Sequence, residues 1–294
     1  MKYPHHVTLP GMQMIETIIK TVIATGQIKD AVPVSLMIVG PSGGGKSKTL
    51  LTFKGAAIHL TDDMTSTGLA DIIKADKESA ITHIMLPDFN PVLSHKASVT
   101  GLTVANLLSI TQDGTIRIDD GREVKELEHQ PMGILTAVTP LMYEKNLHRW
   151  DVIGFRRRFL TIHFDYSPGT IKIAMDLIGS GLLKGGQLVT VAMEPLKEKQ
   201  APRIPAHLNS DIDQIASTMS SHLAAFVGVK VQNGHRQKKW FQGRPVPPMS
   251  PKHMCRWMAQ AYAFNESRPV VSKQDIAFLL QLLEFTDPTR PKLL

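Results

Sequence analysis

The stretch that decides the fold is Ser35–Ser47, which reads Ser-Leu-Met-Ile-Val-Gly-Pro-Ser-Gly-Gly-Gly-Lys-Ser. A short apolar run with strand character leads into a glycine loop, and a helix is predicted from Lys48 to about Phe53. The spacing from Gly40 to Ser47 satisfies the pattern G-x-x-x-x-G-K-[ST] in full. Glycines let backbone N–H groups close around phosphates, and a following helix adds positive potential. The sequence therefore predicts a nucleotide site, rather than a plain glycine-rich turn between a strand and a helix.

The side chains of this loop predict the chemistry of the ligand. We expect Lys46 to reach the β- and γ-phosphates and the Ser47 hydroxyl to ligand Mg²⁺. The loop by itself does not distinguish ATP from GTP. The predicted cofactor-binding residues here are Gly40, Pro41, Ser42, Gly43, Gly44, Gly45, Lys46, Ser47 and Lys48.

The composition of the 294-residue chain limits its class and its possible partners. Apolar residues make up 43% and no run approaches the ~20 apolar residues of a membrane span, so no membrane partner is expected. The single cysteine, Cys255, leaves no internal disulfide and favours a reducing cytoplasm. A net charge of +7, from 33 basic against 26 acidic residues, makes DNA a plausible anionic partner without establishing it.

A second candidate ligand for magnesium follows the loop at the end of another apolar strand, Ile81–Asp88. An apolar strand that ends in an acidic residue, after a phosphate loop, is the pattern of a Walker B element. We expect Asp88 to hold the Mg²⁺ and its water shell, the alternative being an ordinary strand-end aspartate.

The other predicted elements of the first half complete a parallel αβα unit. Alternation on both sides of Asp120-Gly121 is a strong hairpin signal. The expected elements are a helix over Met12–Thr25, a strand over Ala56–Leu60, helices over Ala70–Ala75 and Thr103–Ile110, and strands over Met132–Pro140 and Leu160–Phe164.

The second half is predicted to be mainly helical, which gives domains of residues 1–167 and 168–294. Ser272 and Asp275 have the spacing of a capping box at the start of the last helix. The basic and aromatic segment Arg236–Trp240 is expected in a loop, either solvated or in contact with nucleic acid. The predicted helices are Ile171–Ile178, Ile212–Val227, Lys252–Phe264 and Lys273–Phe285.

The order of these elements resembles an AAA+ ATPase, over roughly residues 12–286. A hairpin between the Walker B strand and the next strand is similar to that of the MCM helicase and MoxR branch. Three segments add to the resemblance, namely Ser66–Leu69, Leu107–Ile118 and Ala259–Ile276. The resemblance implies an AAA+ αβα domain with a parallel sheet, followed by a helical lid, without the N-terminal DNA-binding domain of MCM proteins.

The resemblance also assigns roles to single residues. Thr139 falls where the family's sensor-1 residue orients the attacking water. Arg158, followed by Phe159, falls where an arginine finger reaches the nucleotide of a neighbouring subunit, with Arg156 and Arg157 as alternates. Together with Lys46 and Asp88, these make the predicted catalytic set.

Two departures from the family pattern concern the same site. Phe89 stands where the family has the glutamate that polarises water, so hydrolysis is expected to be slow unless another base serves. Replacing Phe89 by glutamate would test whether that acid alone is missing. The family's sensor-2 arginine has no clear equivalent, and Lys252, then Arg256, are the nearest cations.

Three functions follow from the resemblance. The first is a homo-oligomeric ring (a hexamer in the simplest case) or filament that binds ATP with Mg²⁺ and acts on DNA, as a helicase-like, loader-like or transposition-regulator-like ATPase. The second is a MoxR-type remodeller of a protein partner. The third is a nucleotide-switched assembly scaffold in which turnover is incidental.

Overall fold

The computed structural model describes residues 11–78, 80–119, 124–179, 201–232, 235–242 and 249–294. Its strands are β1 (Ser35–Val39), β2 (Ile58–Leu60), β3 (His83–Leu86), β4 (Thr115–Asp119), β5 (Val124–Glu128), β6 (Gly133–Val138), β7 (Phe159–Asp165), β8 (Ala225–Gln232), β9 (His235–Gln242) and β10 (Lys292–Leu293). Its helices are α1 (Gln13–Thr25), α2 (Lys46–Leu50), α3 (Ser66–Ala75), α4 (Asn90–Ser94), α5 (Ala97–Gln112), α6 (Pro140–Val152), α7 (Pro168–Gly179), α8 (Asn209–Leu223), α9 (Met249–Asn265) and α10 (Lys273–Thr286).

A six-stranded parallel sheet forms the centre of the fold, in the order β10-β7-β1-β6-β3-β2. All five residues of β1 are buried, as expected for a continuous apolar run in the middle of a parallel sheet. The α/β class with a parallel sheet is therefore confirmed.

Alternating residues of the sheet pack into two separate cores. Leu36 and Ile38 face a cluster that also contains apolar residues of α1, α8, α9 and α10. Met37 and Val39 face the other cluster, which is built from α3 to α6. The helices on both faces make an αβα sandwich, and the first core joins elements from both halves of the chain.

Two hairpins lie outside the central sheet. The predicted hairpin is confirmed as β4 and β5, which pair antiparallel from Thr115 with Glu128 to Asp119 with Val124, while its Asp120-Gly121 turn lies outside the described residues. The second hairpin, β8 and β9, was not predicted. The helix expected over Ile212–Val227 ends at Leu223, and Arg236–Trp240 lies in β9 rather than in a loop.

Most other differences concern the ends of elements. The helix after the glycine loop spans Lys46–Leu50, and the one expected over Thr103–Ile110 extends to Ala97–Gln112. Helices α4 and α6 and strand β10 are additional to the predicted elements. No helix in the described ranges is long and apolar enough to cross a membrane.

Candidate functional site

Three strand ends bring the predicted nucleotide site together at one edge of the sheet. Strand β6 lies between β1 and β3, with Val39 paired to Val138 and Leu86 paired to Thr136. The segments that follow these strands contain Gly40, Asp88 and Thr139. Because all three strands are parallel, their carboxyl ends form a shared edge, which is where ligands bind in open α/β sheets.

Local backbone geometry shapes the glycine loop as a cradle. Gly43 and Gly45 have φ angles of +71° and +77°, in the left-handed region that favours glycine. A Cβ on Gly40 would lie 2.5 Å from the Phe164 ring, and one on Gly44 would lie 2.9 Å from the Pro41 carbonyl oxygen. A Cβ on Gly43 would meet nothing within 4 Å, so this part of the loop opens onto free space. The glycine pattern therefore fits a backbone that approaches an anion closely.

The ammonium group of Lys46 lies inside this loop. Its Nζ donates to the carbonyl oxygens of Gly40 at 2.8 Å and Pro41 at 2.6 Å, and the residue is 8% exposed. Burial lowers the pKa of Lys46, and the nearby charge of Asp88 opposes that shift. Two neutral carbonyl oxygens thus hold the ammonium group at the loop. The charged oxygens of a phosphate would form stronger hydrogen bonds with it and would take their place.

The candidate magnesium ligands lie at the neighbouring strand end. The Ser47 hydroxyl donates to the carbonyl oxygen of Pro87 at 2.7 Å, which places it one residue from Asp88 in sequence. The Asp88 carboxylate accepts from the Asn90 backbone N–H at 2.9 Å and is exposed. A serine hydroxyl and a carboxylate are hard oxygen ligands, and Mg²⁺ is commonly held by one or two such groups with waters and substrate phosphates.

Thr139 follows β6, the strand between β1 and β3, and so lies between the glycine loop and Asp88. The Gly40 N–H donates to the Val138 carbonyl at 3.3 Å, and the Phe89 N–H donates to the Ala137 carbonyl at 3.0 Å. Thr139 precedes α6, yet its side chain makes no capping hydrogen bond. Its hydroxyl is therefore left for another partner at this edge.

The Phe89 side chain is fully buried, away from this edge. Its ring lies 6.2 Å from that of Trp150 and 5.7 Å from that of Phe155, measured between centroids. A glutamate at position 89 would therefore enter the core rather than this edge, so Phe89→Glu does not test whether that acid alone is missing. Sequence order gave the position after Asp88 but not the direction of its side chain.

Two polar residues near the loop were not predicted from the sequence. The Tyr166 hydroxyl donates to the Gly44 carbonyl at 2.9 Å, from the segment that follows β7. Asn90 has a side-chain oxygen that is buried without a hydrogen-bond partner. The only sequence signal for Tyr166 is its place just after a central strand, whereas Asn90 follows Asp88 by two positions.

The three predicted finger residues lie at the opposite edge of the sheet. They form a short 3₁₀ turn that enters β7, whose first residue Phe159 pairs with Ser35, the first residue of β1. A five-residue strand spans roughly 15 Å, so Arg158 does not reach the glycine loop of its own chain. Arg156 is buried, where it contacts Asp151 at 3.1 Å and the His222 carbonyl at 3.2 Å.

The other predicted cations also lie apart from the loop. Lys252 pairs with Asp213 at 2.9 Å, and Arg256 donates to the Asn209 side chain at 2.9 Å. Both are on α9, whose first turns lie beside Val32–Ser35 at the amino edge of the sheet. Lys48 is exposed on α2. The structure thus brings Gly40–Ser47, Asp88 and Thr139 together and leaves Arg158, Lys252 and Arg256 elsewhere.

The described residues contain no cluster of three or more His, Cys, Asp or Glu side chains that could hold a metal by themselves. Comparison with protein-family models and with curated proteins found no match for this chain.

Proposed function

We propose that this chain binds ATP with Mg²⁺ at Gly40–Ser47 and hydrolyses it slowly. The observation that carries the proposal is the position of Lys46, which lies inside a glycine loop with Asp88 close enough to influence its pKa. The loop would hold the phosphates, Lys46 would neutralise their charge, and Ser47 and Asp88 would hold the metal.

Slow turnover follows from the side chains around the water position. Phe89 has no group that accepts a proton, and Asn90 offers an amide that can orient water without serving as a base. Loss of a general base typically removes ~10²–10⁴ of rate. The residues that would bind the nucleotide are therefore present, whereas a residue that would activate water for hydrolysis is not among those at positions 88–90.

We further propose an AAA+-type assembly, a ring or filament, in which nucleotide sites are shared between subunits and which acts on nucleic acid. Arg158 lies too far from the glycine loop of its own chain to contact a nucleotide there. An arginine in this position could contact only the nucleotide of a neighbouring subunit, which is what a shared site requires. The net charge of +7 favours an anionic partner such as DNA. The nucleotide-switched scaffold is the second candidate, and the buried Phe89 ring favours it. ATPase stimulation by a protein and not by DNA would instead indicate a MoxR-type remodeller.

The first test measures ATP binding directly. We expect Lys46→Ala to weaken MgATP binding at least about tenfold, because one charge-assisted interaction with phosphate is worth roughly 1.5–3 kcal/mol. Lys74→Ala, which removes an exposed lysine on α3, is the matched control and should bind as the native chain does. Equal affinity for the native chain and Lys46→Ala would contradict the proposed site.

The second test asks whether sites are shared. Particle size and ATP hydrolysis are measured with and without ATP, single-stranded DNA and duplex DNA. Lys46→Ala and Arg158→Ala should each lose activity, and mixing the two should restore part of it, because some mixed interfaces keep an intact loop and an intact arginine. Absence of recovery in assemblies shown to contain both variants would overturn the shared site.

A further inference from the structure

A cavity of about 380 Å³ lies at the amino edge of the sheet, opposite the glycine loop. It is bounded by the segment entering β1, the end of α5, the arginine turn before β7 and the first turns of α9. Its volume is within the range of small-molecule sites, which is roughly 300–1,000 Å³. None of the residues assigned to phosphate or magnesium binding at the glycine loop lines it, whereas Arg158, the proposed contact to a neighbour's nucleotide, does.

Two arginines give one wall of this cavity a positive charge. Arg158 is fixed by donating to the Gly154 carbonyl at 3.0 Å and to the Gln112 side chain. Arg157 is exposed, and its guanidinium has no hydrogen-bond acceptor among the described residues. Burial and the neighbouring charge of Arg157 both lower the pKa of Arg158, while Asp113 partly offsets them. Among the described residues that line the cavity there is no carboxylate.

The position of Arg157 depends on a glycine. Gly154 has a φ of +73°, and a Cβ there would lie 2.9 Å from Nε of Arg157. The absence of a side chain therefore lets the guanidinium lie against the backbone at the mouth of the cavity. Two like charges held side by side are mutually repulsive, and a bound anion would relieve that repulsion.

Another part of the cavity wall is apolar and aromatic. The rings of His253 and Trp257 stack with centroids 5.6 Å apart, and Met254 lies between them in sequence. Val32 and Val34 complete this wall from the segment entering β1. Flat, polarisable surfaces of this kind favour a planar ring.

We propose that this cavity binds a nucleoside monophosphate group, with the phosphate at Arg157 and Arg158 and the base against the His253–Trp257 wall. A phosphate monoester carries a charge of about −1.5 to −2 at pH 7, which matches two guanidinium groups better than a single carboxylate does. Arginine forks also fit phosphate oxygens in pairs. The group has two possible sources, a free mononucleotide or the phosphorylated end of a nucleic-acid strand. The proposal is independent of ATP binding at Lys46, and it is an alternative to the intersubunit role proposed above for Arg158, because one guanidinium group does not hold both phosphates at once.

Titration with AMP, followed by calorimetry, tests the site in the full chain. Arg157→Ala should weaken AMP binding at least about tenfold, the loss of one charge-assisted interaction. Arg149→Ala, an exposed arginine on α6 that does not line the cavity, and Lys46→Ala should bind AMP as the native chain does. Ser250→Phe, which fills the cavity and keeps both arginines, should also abolish binding.

The outcomes separate this site from the glycine loop. Loss of AMP binding in Lys46→Ala alone, unchanged affinity in Arg157→Ala, or no detectable AMP binding to the native chain would overturn the proposal. Competition by a 5′-phosphorylated tetranucleotide, and not by its 5′-hydroxyl form, would identify a strand end as the source. Competition by neither oligonucleotide, with AMP bound, would identify a free mononucleotide.

Discussion

Phe89 follows the candidate magnesium ligand Asp88, and its ring packs with Trp150 and Phe155 in the core beneath α6. The adjacent Asp88 is exposed at the carboxyl edge of the sheet. These two neighbours therefore serve opposite purposes, one in packing and one in the polar site. The difference arises because successive residues leaving a strand point to different sides of the chain.

We expect Phe89→Glu to unfold the chain rather than to raise ATP turnover. The substitution removes a fully buried ring, a change that costs about 3–5 kcal/mol when the replacement is alanine, and it adds a carboxylate without a partner. Urea denaturation measures the loss of free energy of unfolding, and ATP hydrolysis is assayed in parallel.

Leu102→Glu is the control for this prediction, because Leu102 is 50% exposed on α5 and should tolerate the charge within about 0.5 kcal/mol. A native-like midpoint for Phe89→Glu, together with faster hydrolysis, would contradict the position of the ring.

Helix α10 shows how far a local sequence pattern can specify an element. The predicted capping box is present, with Ser272 accepting from the Gln274 N–H at 3.3 Å and Asp275 accepting from the Ser272 N–H at 2.6 Å. The tertiary structure adds Arg268, whose guanidinium contacts both oxygens of the fully buried Asp275 at 2.5 and 2.7 Å. The sequence predicts the cap, while the buried ion pair depends on the turn that brings Arg268 back.

Removal of Asp275 should therefore cost more than removal of the cap. We expect Ser272→Ala to lower the free energy of unfolding by about 1 kcal/mol and Asp275→Ala by about 1.5–3 kcal/mol, since the latter removes the charge-assisted hydrogen bonds to Arg268 but leaves a guanidinium that is 24% exposed and can be hydrated. Chemical denaturation of Ser272→Ala, Asp275→Ala, Arg268→Ala and the double variant Arg268→Ala/Asp275→Ala checks this. The double variant should lose less than the sum of its single losses, and strict additivity would count against the ion pair.

The β8–β9 hairpin shows where a helical interpretation was extended too far. Apolar residues in the predicted helix continue into Val227, yet Val227, Val229 and Val231 alternate with other residues at the period of a strand. Pairing with β9, which joins Val227 to Trp240, determines the outcome. At such a boundary the same apolar residues fit a helical and a strand pattern. The partner strand β9 is polar and basic, so its sequence does not show the apolar alternation by which a strand is predicted.

Two buried histidines make the free energy of unfolding of the whole chain depend on pH. His83 lies in β3, with its ring nitrogens 3.3 Å from the Val34 carbonyl oxygen and 3.0 Å from the Thr82 hydroxyl. Burial lowers the pKa of His83 to about 4 and that of His163, in β7, to about 3, the latter with help from the charge of Arg156. Both rings are neutral in the folded chain near neutral pH.

Stability should consequently fall as the medium becomes acidic. An unfolded histidine has a pKa of about 6.5, so below that value the unfolded chain binds more protons than the folded one. The free energy of unfolding is then largest above pH 6.5 and declines by up to about 1.4 kcal/mol per pH unit for each histidine, down to pH 4 for His83 and pH 3 for His163.

Denaturation between pH 6.5 and 5 measures this slope before most carboxylates titrate. His163→Asn should make the slope shallower, whatever its own cost in stability, whereas exposed His207→Asn should leave the slope unchanged. A slope that is the same in His163→Asn and the native chain would show that His163 is not the group responsible.

The glycine loop, the acidic residue after β3, the first hairpin and the cap of α10 were predictable from sequence alone, and the order of predicted strands and helices indicated the α/β class. Each of these depends on residues close together in the chain, where spacing, glycine content and apolar periodicity act directly on the backbone. Only the tertiary structure decided which strand lies between β1 and β3, and with it the place of Thr139 beside the loop. Long-range packing also places the Phe89 side chain in the core. It brings Arg157, Arg158 and Trp257 together at the cavity on the amino edge of the sheet. Those contacts join residues distant in sequence, so no local pattern records them.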